Sequence, residues 1–493
     1  MKRVSTGFLP SISLDSNSRT PMYRQLYEWF RSAILAGQLR PGQRVPSTRS
    51  LAEELKVSRI PVSSAYEQLQ AEGFFETFTG AGTCVAESIP GKSLIAFDAR
   101  RPGSSRQASH HKARRTLSRR VKSMRIEPQP WLNHLGAFRV SLPALDYFPG
   151  GVWSRLLNRH SRNQTRQLMA YGDAMGYWPF REAIAEYIGA VRAVRCEPSQ
   201  VLITTGSQQG IQLSAHVLLD VRAEVWFEDP GYPGARQALR MADAQIVPVP
   251  VDHEGLNVEE GMCRAPGARA VYITPSHQYP LGMTMSVSRR MLLLDWAARS
   301  SAWIIEDDYD SEFRFGAHPI PSLQGLDTRD RVIYVGTFSK VMFPALRLGY
   351  IVVPKDLAQA FAVARDATDQ FSSSLYQAVM TDFIREGHFA RHIRRMRMLY
   401  GARRTALVEA IRNHMGDKLQ VIGAEAGMHL VALLQPGKND TAIAGKAAEM
   451  GMSIMPLSSC YLGRAGKSGL ILGYGGTEAQ QIQHGIRKLA MLV

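Results

Sequence analysis

The chain has 493 residues, too many for one compact core, so two or more domains are expected. With 45% hydrophobic and 21% charged residues it has an ordinary globular composition, and no run of eighteen apolar residues offers a membrane span. The formal net charge of +16 fits a polyanionic partner, but ten Lys and Arg residues fall between 99 and 125, a stretch without Asp or Glu, so the surplus is mostly one segment. The four cysteines lie far apart, with no spacing that suggests a metal site, and suit a reducing cytoplasm. The start, MKRVSTGFLP, has no sustained apolar stretch, so a secretory signal is not expected.

A small unit comes first. Thr20 reads as an N-cap with Pro21 at the first helical position. Tyr23, Leu26, Tyr27, Phe30 and Ile34 follow at helical spacing, and Gly37 can end the helix. Ser47 can cap a second short helix carrying Leu51 and Leu55, and Val57-Ser58 is a turn and cap for a third. Val62, Ala65, Tyr66 and Leu69 line the core face of that third helix, which ends at Gly73. FFETFTGAGTCVAE alternates around a Gly-rich centre and predicts a β-hairpin. Three short helices and a hairpin form an α+β winged helix-turn-helix, in which the third helix presents its N-terminal residues to the major groove of double-stranded DNA.

Residues 88–135, rich in Pro, Gly, Ser and basic residues, read as a linker, either a solvated spacer or a source of nonspecific phosphate affinity. From 136 onward, apolar strand-like runs alternate with helical stretches: VLITTG, EVWFEDP, QIVPVPV, AVYITPS, AWIIEDD, VIYVGTFSK and LGYIVV. That alternation predicts an α/β domain with a mostly parallel sheet. The expected organisation is a tail (1–20), a DNA-binding head (21–87), the basic linker (88–135) and a large effector domain (136–493).

Lys340 ends the turn after the run Val332–Val335. A lysine there, partly desolvated and near another cation such as Arg347, can be deprotonated and condense with an aldehyde. Pyridoxal 5′-phosphate (PLP) is the obvious aldehyde, and the sequence meets its demands. Gly206, Ser207 and Gln208 lie between a strand and a helix, where backbone amides bind phosphate, and Thr337, Ser339 and Arg347 can complete that site. Asp307, at the end of AWIIEDD, can keep the pyridine nitrogen protonated; Tyr309 can donate to the phenolic oxygen, and Tyr232 can cover the ring. Taken singly, Lys340 reads as a surface lysine, Asp307 and Asp308 as loop caps, and Tyr232 as core. Six ordered motifs at suitable spacings point the other way.

The stretch PSTRSLAEELKVSRIPVSSAYEQLQAEGFFETFTGAGTCV resembles the GntR family of bacterial regulators. The resemblance implies that Ser47, Thr48 and Arg49 contact phosphate and that Arg59 reaches bases or phosphate. Ser63 and Ser64 would lie on the exposed face of the recognition helix, and the wing, Thr79–Thr83, contains Gly80 and Gly82. Pro61 stands where the family often has Thr. GSQQG, EDPGY, TPSHQYPLG, EDDYD, the lysine after Ser339 and the arginine before Leu348-Gly349 resemble the PLP fold-type-I aminotransferases. By that resemblance Tyr171 reaches the phosphate of a neighbouring subunit, and His277 and Gln278 fall where relatives carry an Asn beside the ring. The combination resembles the MocR/GabR type of regulator, which implies a head-to-tail homodimer, PLP as cofactor and a small-molecule effector. One departure stands out: Ile471, in GLILGYGG, occupies the place of the arginine that usually holds a substrate carboxylate, and Arg464 lies in the preceding loop. That favours a sensor of PLP, or of a metabolite reacting with it, over an enzyme. The alternative is an active class I/II aminotransferase carrying a DNA-binding head, and a third reading is a PLP module that has lost DNA binding.

Overall fold

The structure, a computed structural model, describes residues 12–15, 18–78, 82–88, 135–162, 166–315, 320–463 and 466–493, with isolated positions between 116 and 131. The chain forms two compact units that meet in sequence near residue 115. Most of the linker expected at 88–135, with its basic run, and Gly80 of the wing lie outside the described residues.

In the head, α1 (Met22–Leu35), α2 (Thr48–Leu55) and α3 (Arg59–Ala71) precede the hairpin of β1 (Phe75–Phe78) and β2 (Gly82–Val85). The hairpin is antiparallel, with Phe75 opposite Val85 and Phe78 opposite Gly82. Pro21 is the N-cap of α1 rather than its first residue; its missing N–H costs nothing in either position. Ser47 caps α2, its Oγ accepting from Ser50 N at 3.1 Å. Ser58 stands at the N-cap of α3, but its side chain makes no capping bond. Gly37 and Gly73, both at positive φ, take the chain out of α1 and α3 as the sequence requires. Leu26, Phe30, Ile34, Leu51, Val62, Tyr66, Leu69 and Phe75 form the core. Phe30 sits edge-on to Tyr66 and Phe75 at 5.6 and 5.4 Å.

The body is built on an eight-stranded sheet. Its strands are β3 (Val201–Thr204), β4 (Glu224–Asp229), β5 (Gln245–Asp252), β6 (Gly255–Leu256), β7 (Ala270–Ile273), β8 (Trp303–Asp308), β9 (Val332–Thr337) and β10 (Gly349–Val352). Their spatial order is β3-β10-β9-β8-β7-β4-β5-β6. β5, β4, β7, β8 and β9 pair parallel, while β10 runs antiparallel to both β9 and β3. The sheet is buried on both faces, which is why its strands read as continuous apolar runs. Tyr272, Ile305 and Ile333 pack on one face; Val271, Ile304 and Val332 pack on the other, around the stacked rings of Trp226 and Trp296.

A second sheet was not expected from the sequence. It joins β11 (Leu419–Ile422), β12 (His429–Leu434), β13 (Met455–Pro456) and β14 (Gly469–Gly473), all antiparallel, in the order β11-β12-β14-β13. A 28-residue helix, His388–Met415, leads into it. Among the described residues no helix is long and apolar enough to cross a membrane, and no cluster of His, Cys, Asp and Glu could hold a metal ion.

Phe30→Ala should remove about 3–5 kcal/mol, comparable to the whole stability of a small domain. Calorimetry of the full chain should then show an early transition for the head and an unchanged one for the body. A single transition shifted as a whole would contradict separate cores.

Candidate functional site

The head places its polar residues at two helix N-termini. Ser47, Arg49 and Arg59 are exposed, and Thr48 is half-buried. Arg59 Nε donates to Thr48 Oγ1 at 3.2 Å, tying the start of α3 to the start of α2. Because Ser47 and Thr48 oxygens act as acceptors in these bonds, both hydroxyl protons remain free to donate outward. Arg49 lies 3.1 Å from Glu53, an exposed pair that water screens. Ser63 and Ser64 are only partly exposed. Ile60 was not singled out from the sequence, yet it is 77% exposed on the first turn of α3. A large apolar side chain there has no packing role.

In the body, one cavity of about 160 Å³ gathers residues from the carboxyl ends of β3, β8 and β9. Ser207, Gln208, Tyr232, Asp307, Tyr309, Thr337, Ser339, Lys340 and Arg347 all line it. Gly206, also nominated from the sequence, lines it as well. Tyr171 lies elsewhere: it is 86% exposed, with its ring edge-on to Phe371 at 6.1 Å. Ser141, Tyr272, Thr274, Tyr279 and Pro344 also line the cavity and were missed. Tyr272, Thr274 and Tyr279 lie in or beside the motif TPSHQYPLG and Pro344 just after Lys340, while Ser141 comes from a distant segment with no motif to mark it.

Strand alternation decides between the two aspartates of β8. Asp308 turns to a buried network, its Oδ2 accepting from Arg192 Nε at 2.7 Å and the Tyr334 hydroxyl at 2.6 Å. Asp307 faces the cavity. Its Oδ2 accepts from the Tyr272 hydroxyl at 2.8 Å, while Oδ1 is buried without a partner. Burial pushes the Asp307 carboxyl up to about 7, against the pull of Tyr272 and Lys340. Burial also pushes the Lys340 amine down to about 8; Asp310 and Asp307 oppose this and Arg347 adds to it. The nearest bonding partner of Lys340 Nζ is the carbonyl of Ser141, at 3.5 Å.

At the far end, Gly206 opens the helix Ser207–Leu218 at φ +126°. A Cβ on Gly206 would sit 3.4 Å from the Arg347 guanidinium, so that cation lies directly over the helix N-terminus. Thr337 Oγ1 accepts from Ser339 N at 3.2 Å, leaving its own proton free. Gln208 turns its amide away, donating to Gly234 O at 2.7 Å, and offers the cavity its backbone. The Tyr232 ring packs over Gly234, edge-on to Tyr279 at 5.4 Å. Of the pair seen where relatives carry an Asn, Gln278 is tied to the carbonyls of Pro230 and Tyr279, and neither it nor His277 lines the cavity. Ile471 is fully buried on β14, opposite Val431 and Met455, in an apolar cluster that includes Tyr279. Arg464 lies outside the described residues.

The arrangement can hold a dianion at one end, an aldehyde on Lys340, and a cationic ring nitrogen against the unpaired Asp307 oxygen. Residues 149–489 match aminotransferase class I and II, and residues 22–85 match the gntR family of bacterial regulatory proteins. The chain is 40% identical, over 97% of its length and 94% of the relative's, to the probable rhizopine catabolism regulatory protein MocR of Rhizobium meliloti. It is 29% identical, over 94% of both chains, to the pyridoxine biosynthesis transcriptional regulator PdxR of Corynebacterium glutamicum. The solved α-aminoadipate aminotransferase LysN of Thermus thermophilus, in complex with N-(5′-phosphopyridoxyl)-L-leucine, superposes with a TM-score of 0.70 at 28% identity. That match covers 76% of this chain and 96% of LysN. With a gntR-family head fused to a class I and II aminotransferase body, the chain belongs to the MocR-type family of transcriptional regulators.

Proposed function

We propose that this regulator holds PLP on Lys340 and that occupancy of the site, or a small amine reacting there, changes its grip on DNA. The observation that carries this reading is the single cavity in which a lysine shifted to about 8 meets an unpaired, buried aspartate oxygen and an arginine over a helix N-terminus. PLP supplies an aldehyde that condenses with amines and a ring that withdraws electrons. Lys340 is the attachment point. Asp307 Oδ1 is the acceptor for the protonated ring nitrogen, and that cation offsets the cost of burying the carboxylate. Gly206, Ser207, Thr337, Ser339 and Arg347 hold the phosphate, Tyr232 covers the ring, and Tyr309 donates to the phenolic oxygen. Tyr171, exposed in one chain, serves the cavity of a second copy in a homodimer. Ile471 contributes no cation for an α-carboxylate, so the site is used for sensing rather than for steady transamination of amino acids. The head binds double-stranded DNA with the N-termini of α2 and α3, through Ser47, Thr48, Arg49 and Arg59, with Ser63, Ser64 and the wing glycines Gly80 and Gly82 beside them.

Two outcomes are expected. The free-amine fraction of Lys340 rises with pH through about 8, so PLP uptake by the cofactor-free chain should accelerate about tenfold between pH 7 and 9 and then level off. An unshifted lysine would gain about a hundredfold over that interval and keep rising. Stopped-flow absorbance distinguishes the two, and Lys340→Ala should abolish the covalent phase. For the head, Arg59→Ala should weaken binding to the upstream DNA of its own gene. If Arg59 meets phosphate, the slope of log affinity against log salt should fall by about one. Equal affinity and slope for Arg59→Ala and the parent would remove Arg59 from the interface.

A further inference from the structure

His277 and Asp310 form a buried pair directly behind the cavity wall. Each is 2% exposed. His277 Nδ1 lies 2.9 and 3.2 Å from the two Asp310 carboxylate oxygens, and 2.9 Å from the Tyr309 hydroxyl oxygen. One ring nitrogen therefore faces three oxygens. It has one position for either a proton or a lone pair. With a lone pair there, Nδ1 could accept from Tyr309, but it would confront a buried carboxylate lone pair to lone pair. A proton on Nδ1 removes that conflict: it donates to Asp310, with the Tyr309 oxygen as second acceptor. The conclusion is the same for a neutral and a charged ring.

The consequence lies at Tyr309. With its oxygen turned to an N–H, its own proton cannot point back toward His277 and is directed into the cavity that Tyr309 lines. We infer that His277 and Asp310 are positioning residues that hold Tyr309 as a hydrogen-bond donor to the cavity. This rests on the PLP reading for its ligand, the phenolic oxygen beside the Lys340 attachment point, but not for its geometry.

The surroundings fit a fixed device. His429 packs 5.2 Å from the His277 ring, centroid to centroid, and its Nε2 lies 3.1 Å from the Pro280 carbonyl, so it donates there and offers His277 no proton. Burial and the neighbouring His277 push the His429 imidazole down to about 4, so it stays neutral. Gly427, at φ +79°, supports the pair from the other side: a Cβ on it would overlap both His277 Cε1 and Asp310 Oδ2. The remaining charged and titratable groups around the pair are Lys340, Asp307, Glu312, Arg314, Tyr279 and Tyr474. The bonds of His277 run to Asp310 and Tyr309, and its Nε2 is buried without a partner among the described residues.

Two measurements judge this. In the cofactor-free, 15N-histidine-labelled full chain, NMR should show His277 protonated at Nδ1, the signal being assigned by its loss in His277→Asn. A bare Nδ1 overturns the inference, whatever the cofactor does. In the PLP-loaded chain, a donor to the phenolic oxygen lowers the proton affinity of the Lys340-linked chromophore. His277→Leu should therefore raise the pH midpoint of its visible absorption by about one unit. His277→Asn, which restores an N–H at the position of Nδ1, should stay near the parent value. In a Tyr309→Phe background His277→Leu should add no further shift. An equal shift in both backgrounds overturns the inference by showing an effect that bypasses Tyr309. A parent chain with no Lys340-dependent band would overturn the PLP reading, while the NMR result still judges the direction of the Tyr309 proton.

Discussion

Desolvation of Lys340 is the constraint on which the body depends. An ammonium buried at the end of β9 loses hydration that the protein does not fully replace, so the neutral amine is favoured. The same burial acts in the opposite sense on Asp307, whose carboxyl moves up. Lysine and aspartate thus approach each other in proton affinity, and each is costly to keep charged while the cavity is without its ligand. A bound group that reacts with the one and presents a cation to the other relieves both costs. Its phosphate would meet the dipole of the helix Ser207–Leu218 and the Arg347 charge. Parallel strands explain why these groups converge: β3, β8 and β9 deliver their carboxyl ends to one edge of the sheet.

The head rests on a different economy. Its core is a cluster of apolar and aromatic side chains, and its surface chemistry is concentrated at helix starts. Ser47 spends an acceptor lone pair on its own helix and keeps a donor for a partner. The Arg59–Thr48 bond orients a long cationic side chain that would otherwise lose much rotamer freedom on binding. Preorganised donors beside a helix N-terminus suit phosphate, and phosphate contacts set register before any base is read.

Much of this was legible in the sequence because the informative residues are local. A buried parallel strand reads as an apolar run, and a polar residue at its end marks a sheet edge; Asp307, Thr337, Ser339 and Lys340 were found that way. Gly206 followed from the turn between strand and helix. What the sequence hid depends on distance along the chain. Ser141 enters the cavity from a distant segment, and Tyr272 sits within an apolar strand run where it reads as core. The partnership of His277, Tyr309 and Asp310 needs β8 beside β7 and has no spacing signature. The antiparallel sheet of β11 to β14 escaped because β13 has only two residues and no helix stands between β11 and β12, so no regular strand–helix alternation announces it. Tyr171 is a different case: in the single chain it lies in solvent, and its assignment to a second copy's cavity belongs to the proposal. Pro21 shifted by one residue, the usual latitude of a helix end.

The central claim is that the state of the Lys340 site is felt at the DNA. Fluorescence anisotropy of labelled upstream DNA, titrated at fixed salt with cofactor-free and then PLP-loaded protein, tests it most directly. The account predicts that PLP, alone or with an amine that reacts with it, changes affinity several-fold, and that Lys340→Ala abolishes the difference. Equal binding by every form, with PLP demonstrably attached to Lys340, would contradict it and leave the body a passenger on a DNA-binding head.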